Sequence, residues 1–211
     1  PADIPDYVAG RRRPPVDPDT IMPMGGLRYW NRETGLYVNH QEKIGRWTLT
    51  GGLRRGSYEM YSERDDMRER ETAWTGQFGA VYDTRRDFYL YGHWHNSFEP
   101  TLTLDENNRL LPPTRGREFE LGVKYLPKNT ATQVTLAVFD LRRQNVHISV
   151  PGTSYYRAIG EITSRGVELE YRAALSDRVY LLGSYTYLDA SVTKDANPRR
   201  IGRRPQGVPH H

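Results

Sequence analysis

Apolar and polar residues alternate with a period of two through most of the chain after residue 34. The alternating segments are rich in Val, Leu, Tyr, Trp and Thr, which suit half-buried β-strands. They predict eight strands, at residues 35–43, 47–55, 74–83, 88–97, 118–125, 132–145, 164–174 and 178–193. Residues 1–33 lack this pattern and contain Pro14, Pro15 and Pro18. We expect a loop or linker there, because proline cannot donate a backbone hydrogen bond.

Short and long connections alternate between the predicted strands. The short turns are at 44–46, 84–87, 127–130 and 176–177, and the longer polar connections are at 56–73, 98–117, 146–163 and 194–207. Antiparallel neighbours reverse direction, so the short turns would share one rim of the sheet and the long loops the other. This asymmetry is typical of outer-membrane β-barrels.

The alternation also gives each predicted strand one apolar face and one charged face. Along 118–125, Phe, Leu, Val and Tyr alternate with Glu, Glu, Gly and Lys, and 167–172 repeats the pattern. A soluble antiparallel sheet has the same alternation, so lipid and a protein core both remain open. Aromatic residues near strand ends favour a membrane interface. They are Trp47, Trp74, Tyr82, Phe88, Tyr89, Tyr91, Tyr125, Tyr171 and Tyr180.

Composition and charge exclude several classes of protein. Hydrophobic residues make up 36% of the 211 residues, and the mean hydropathy of −0.78 fits a barrel with a wet interior. Apolar runs such as 136–139 and 179–182 are far shorter than the roughly 20 residues of a membrane-spanning helix. The absence of cysteine excludes disulfides, zinc–thiolate sites and thiol nucleophiles. Basic and acidic residues, 30 and 26, are interspersed, which argues against nucleic-acid binding.

A series of short phrases occurs in a fixed order along the predicted strands. They are GLYVNHQ at 35–41, WTLTGGLR at 47–54, GAVY at 79–82, SFEP at 97–100, LPPTRGREFELGVKY at 111–125, AVFDL at 137–141, SRGVELE at 164–170 and SYTYLDA at 184–190. In order and spacing they resemble the barrel strands of TonB-dependent outer-membrane receptors of the ferric-siderophore type. The stretch at 111–125 carries the strongest resemblance.

The resemblance implies an all-β fold, an antiparallel transmembrane β-barrel segment of about eight strands from a barrel of roughly 22. It also implies an active transporter in the cell outer membrane that binds a ferric siderophore and is energised by an inner-membrane TonB-type protein. Residues 34–211 are then expected to be a middle segment of that barrel, because nothing in the chain resembles the family's plug domain or its C-terminal strands. No cofactor is expected, because iron arrives already chelated.

A receptor for ferric chelates needs aromatic rings with cationic or hydrogen-bonding groups at a wide mouth. The predicted ligand-binding residues are Trp30, Tyr58, Tyr61, Trp74, Trp94, Tyr155, Tyr156 and Arg157. For each ring, a place in an interfacial girdle or in loop packing is the alternative interpretation.

Catalytic and metal-binding patterns are weak. His93 and His95, two residues apart, share one face of a strand, but no carboxylate lies at a matching spacing, so we predict no metal site. No nucleophile elbow or HExxH motif is present, and we predict no enzyme activity. Two other functions remain open: a self-contained small outer-membrane barrel with a structural or adhesive role, and a soluble β-rich carbohydrate binder.

Overall fold

The computed structural model describes residues 29–62, 66–128, 130–176, 178–205 and 207–208, and these form one antiparallel sheet. Its strands follow one another in chain order: β1 (Tyr29–Ile44), β2 (Trp47–Ser62), β3 (Met67–Asp83), β4 (Phe88–Glu99), β5 (Thr114–Tyr125), β6 (Gln133–Ser149), β7 (Tyr156–Ser176) and β8 (Val179–Lys194). The prediction of eight antiparallel strands is confirmed. A short 3-10 helix at Pro198–Arg200 follows β8. No helix in the described ranges is long and apolar enough for a membrane span.

The strands are longer than the alternation predicts, and mainly at the rim opposite the short turns. The β2–β3 ladder continues to the pair Ser62 and Met67, so most of the loop predicted at 56–73 is strand. The loop predicted at 146–163 likewise reduces to 150–155. Residues 29–33, predicted as linker, belong to β1, and residues 1–28 lie outside the described residues.

The predicted alternation of short and long connections is therefore wrong in detail. Among the connections between the described strands, only 100–113 is a long loop, and those at 63–66 and 150–155 are shorter than the turn at 126–132. The two rims differ instead because the β2–β3 hairpin extends beyond the rest of the sheet. Strand β3 pairs with β4 only as far as Gln77 and His95, well before the tip of the hairpin.

The register assigns every strand an apolar face and a polar face. Leu121, Val138, Val167 and Tyr187 form one row across β5 to β8 on the apolar face. The polar face carries the predicted glutamates Glu118, Glu120, Glu168 and Glu170. Both faces are open: the exposed fraction of Leu121 is 48%, and no large side chain among the described residues is fully buried. The described chain is a single-layer sheet without a core of its own.

The apolar face becomes charged at a similar height on successive strands. Its apolar side chains end where a charged collar begins, which consists of Arg55, Arg117, Asp140, Arg165 and Asp189. Arg165 Nε donates to Asp140 Oδ2 at 2.8 Å within this collar. The apolar band between the short turns and the collar runs over residues 47–53 of β2 and 119–125 of β5, and with the collar it approaches the roughly 10 residues of a membrane-spanning β-strand.

Aromatic rings line the short-turn rim of the apolar band. The ring centroids of Trp47 and Tyr82 are 4.8 Å apart, as are those of Phe88 and Tyr125. These four positions agree with the predicted girdle. Tyr89, Tyr91 and Tyr180 do not, because the register places them on the polar face, opposite Lys124, Gly122 and Ala174.

The open sheet argues against both alternative folds. Among the described strands, β1 pairs only with β2 and β8 only with β7, so the eight strands do not close into a small barrel. A sandwich needs a second sheet packed on the first, and the described strands belong to one sheet.

Candidate ligand-binding cleft and polar wall

A cleft of about 520 Å³ opens at the projecting rim of the sheet. We call it the rim cleft, and it is lined by Trp30, Asn31, Glu33, Arg54, Tyr58, Met60, Phe98, Glu99, Pro100 and Leu102. Strands β1 and β2 supply one side, and the end of β4 with the start of the 100–113 loop supplies the other. Residues far apart in the sequence therefore share one concave surface.

Aromatic and cationic groups are interleaved in the rim cleft. The Tyr58 and Phe98 ring centroids are 5.4 Å apart, and the Arg115 guanidinium lies 5.2 Å from the Phe98 centroid. Arg54 Nη1 donates to the Tyr58 hydroxyl at 2.8 Å, and Arg54 also forms an ion pair with Glu33. These contacts hold Arg54 and Tyr58 as one unit at the cleft surface.

Two glycines make room for this unit. A Cβ atom on Gly35 would lie 2.9 Å from Arg54 Nε, and a Cβ on Gly56 would lie 2.8 Å from the Tyr58 ring. Because neither residue has a side chain, Arg54 and Tyr58 can lie over the sheet instead of standing off it. The local sequence thus shapes the floor of the cleft.

The structure brings only two of the eight predicted ligand residues, Trp30 and Tyr58, into the rim cleft. Tyr61 contacts Trp30, with ring centroids 5.9 Å apart, on the projecting hairpin. Trp74 and Trp94 lie on the apolar face, opposite Arg55 and Phe119. Their position favours the girdle or lipid-facing interpretation over contact with a ligand on the polar face.

The remaining three predicted residues lie at the other side of the sheet. Tyr155 and Tyr156 are at the β6–β7 connection, and Arg157 Nη1 is 3.4 Å from Asp195 Oδ1. They do not line the rim cleft, although the Tyr156 N–H donates to the Leu104 carbonyl at 3.2 Å in the loop that supplies Leu102 to it. Their role in binding stays a prediction. Sequence reasoning missed Arg54 and Phe98, which lie within or next to segments assigned to strands and carry no motif of their own.

A second polar cluster lies further down the same face. His93 is directly opposite Glu120, and His95 directly opposite Glu118. His93 Nδ1 is 3.7 Å from Glu120 Oε1, and His95 Nε2 is 3.7 Å from Glu118 Oε2. The expectation that no carboxylate lies at a matching spacing is therefore wrong. Strand β4 has none next to the two histidines, but the neighbouring strand β5 supplies two. We call these four residues the His–Glu cluster.

The rim cleft and the His–Glu cluster are connected along the polar face. A further cleft of about 410 Å³ includes Arg54 and His95 in its lining, together with Asn39 and Gln77. Arg54 thus borders both clefts, and His95 belongs to both the second cleft and the His–Glu cluster. The two clefts therefore adjoin at Arg54.

Comparison with known proteins agrees with this architecture. Residues 6–211 match the family model described as TonB dependent receptor-like, beta-barrel. The chain is 32% identical over 216 residues to the ferrioxamine B receptor of Salmonella typhimurium, covering 94% of this chain and 30% of that protein. It is also 32% identical over 190 residues to the ferrichrome outer membrane transporter/phage receptor of Escherichia coli, covering 85% of this chain and 24% of that protein.

Solved structures give the same fold at lower sequence identity. The ferripyoverdine receptor of Pseudomonas aeruginosa aligns with a TM-score of 0.69 and 22% identity, covering 78% of this chain and 23% of that one. The siderophore receptor PiuA of Acinetobacter baumannii aligns with a TM-score of 0.67 and 24% identity, covering 83% and 28%. The chain spans less than a third of the length of each of these proteins.

Proposed function

Because this chain belongs to the family of TonB-dependent receptor-like β-barrels, we propose that its eight strands are part of the wall of an outer-membrane receptor that imports a ferric siderophore. The apolar band faces lipid and the polar face lines the interior of the barrel. Two relatives, named for ferrioxamine B and ferrichrome, support this class of cargo. Import is energised by a TonB-type inner-membrane protein acting through parts of the receptor outside this chain.

The observation that carries the proposal is the pairing of rings and guanidinium groups in the rim cleft. Ferric chelates are bulky, partly aromatic and often anionic, so they suit stacking on Tyr58 and Phe98 and attraction to Arg54. The side chain of Arg54 is 35% exposed and can therefore reach a ligand while it keeps its bond to Tyr58. Binding followed by transfer inward needs no covalent step, and no catalysis is proposed.

The test is binding of ⁵⁵Fe-loaded ferrioxamine B and ferrichrome to cells that express the full-length receptor. Replacing Tyr58 with Ala, or Arg54 with Gln, is expected to weaken binding of the recognised chelate about tenfold, because each removes about 1.4 kcal/mol of stacking or cation contact. Tyr185→Ala is the control, since Tyr185 lies opposite Leu169 on the apolar face. If all three variants bind the chelate equally well, the rim cleft is not the binding site. If the wild-type receptor binds no ferric chelate, the proposed class of cargo is rejected.

A further inference from the structure

We infer that the His–Glu cluster binds one divalent transition-metal ion, such as Zn²⁺, Ni²⁺ or Cu²⁺, on the barrel wall. This site is separate from the rim cleft and takes the ion itself, not a chelate. The inference rests on four side chains that two neighbouring strands present at one place on the polar face: His93, His95, Glu118 and Glu120.

The geometry of the cluster fits a single ion. Ligand atoms of His93, Glu118 and Glu120 all lie within 4.8 Å of one another. The His93 and His95 rings are stacked, with centroids 5.7 Å apart and planes 15° apart, so both imidazoles project to the same side. Ligands about 2.1 Å from one metal ion lie roughly 3–4 Å apart. His95 lies outside that group of three, but its Nε2 is 3.7 Å from Glu118 Oε2, so we infer that rotation of the His95 side chain adds the fourth donor.

A residue that is not one of the four proposed ligands orients the Glu120 carboxylate through a hydrogen bond. The Tyr91 hydroxyl donates to Glu120 Oε1 at 2.7 Å, which leaves the second oxygen of Glu120 for a metal ion. Outer contacts of this kind orient ligands in known metal sites. The Tyr91 ring is itself held between strands, because it packs against the open backbone of Gly122.

The charge of the polar wall also favours a cation. Glu168 and Glu170 lie on the same face of β7, in the rows of Gly122 and Lys124, so four carboxylates lie on β5 and β7 with β6 between them. On the polar face of β5 the nearest cation is Lys124, whose Nζ lies over the Tyr91 ring, 5.0 Å from the centroid. The side chains of Glu118 and Glu120 are only 24% and 16% exposed, so their charges are partly removed from water. Partly desolvated carboxylates gain more from a bound cation than exposed ones.

The donor set determines the class of ion. Two imidazoles with two carboxylates suit Zn²⁺, Ni²⁺ and Cu²⁺, whereas Mg²⁺ and Ca²⁺ prefer oxygen ligands alone.

The first experiment is a calorimetric titration of Zn²⁺ into the full-length receptor, purified in detergent and freed of metal with a chelator. The wild type is expected to bind one ion at this site, and His93→Gln and His95→Gln are each expected to weaken that binding at least about tenfold. His40→Gln is the matched control: His40 Nε2 is 3.5 Å from Glu42, but this pair lies on the apolar side of β1. Loss of one histidine there should leave Zn²⁺ binding unchanged.

Electron paramagnetic resonance of the Cu²⁺-loaded wild-type receptor counts the nitrogen donors directly and needs no variant. Two nitrogen donors are expected in the wild type and one in His95→Gln. A wild type that binds no Zn²⁺, a Cu²⁺ spectrum without two nitrogen donors, or Zn²⁺ binding that both histidine variants leave unchanged would each overturn the inference. Uptake of ferric chelate, measured on the same variants, tests the proposed function separately.

Discussion

Gly166 shows how closely backbone and side chains approach each other on the polar face. A Cβ atom at this position would overlap the Tyr187 carbonyl oxygen and would lie 2.6 Å from Phe139 Cζ. We predict that Gly166→Ala destabilises the receptor by about 1–3 kcal/mol, because a backbone carbonyl cannot move aside cheaply. Urea unfolding of the full-length receptor in detergent measures the change. Gly51→Ala is the control, since a Cβ there meets nothing within 4 Å; equal loss in both variants would contradict the prediction.

The Glu59–Arg68 contact gives a prediction of pH dependence on the projecting hairpin. Glu59 lies beyond the charged collar, and its carboxylate accepts a 2.8 Å hydrogen bond from Arg68 Nε. This hydrogen bond is the main reason that the pKa of Glu59 is below its ordinary value of 4.5. A lowered pKa means that the contact stabilises the folded hairpin fully above about pH 4.5, and that this contribution is lost as the pH falls through the lowered pKa.

We therefore expect Arg68→Gln to raise the pKa of Glu59 towards 4.5. Titration of the ¹³C-labelled carboxyl group by NMR measures it in the full-length receptor. Arg70→Gln is the matched control, because Arg70 is directly opposite Glu59 in the register but contributes less to the lowered pKa. A pKa that is the same in wild type and Arg68→Gln would show that this contact does not control the ionisation.

At the level of strands, the alternating sequence pattern predicts the part of each strand that has an apolar face. It does not predict where the backbone hydrogen bonds between strands end. On β2 the apolar positions stop at Leu53, but the ladder to β3 continues to Ser62. Between the collar and the projecting rim, both faces carry polar side chains. The alternation of apolar and polar residues therefore disappears from the sequence there, while the backbone pairing continues. This is why the predicted strands were too short, and mainly at one rim.

The 100–113 loop is attached to the sheet through Asn145. Its side chain donates from Nδ2 to the Pro113 carbonyl at 3.0 Å, and its own carbonyl accepts from Thr114 Oγ1 at 3.1 Å. His147 Nε2 adds a 2.8 Å contact to the Pro112 carbonyl. The φ of Asn145 is 57°, a left-handed conformation that Asn and Gly tolerate better than Ala.

We predict that Asn145→Ala increases trypsin cleavage at Arg109 in cells that display the receptor, because it removes a hydrogen bond and strains the backbone by about 1–2 kcal/mol. Asn145→Gly removes only the hydrogen bond, so its cleavage rate should lie between wild type and Asn145→Ala. Identical cleavage in all three proteins would mean that other contacts hold the loop.

At the scale of the whole molecule, the described sheet exposes an apolar band and has two unpaired edges, β1 and β8. Such edges and surfaces associate in water. We expect the 211-residue chain expressed by itself to aggregate without detergent and to transport nothing. Size-exclusion chromatography with circular dichroism checks this. A stable, folded, water-soluble monomer would contradict both this expectation and the assignment of the apolar band to lipid.

The sequence by itself determined the number of strands, their order along the chain, the two faces and the rings at Trp47, Tyr82, Phe88 and Tyr125. These features depend on local alternation and on the solvent that each face meets, and both leave a period-two pattern in one strand. Only the tertiary structure decided that Glu118 lies opposite His95 and that Phe98 reaches Tyr58. Contacts between strands depend on register and on how far the ladders extend, and the spacing of residues within one strand carries no record of either.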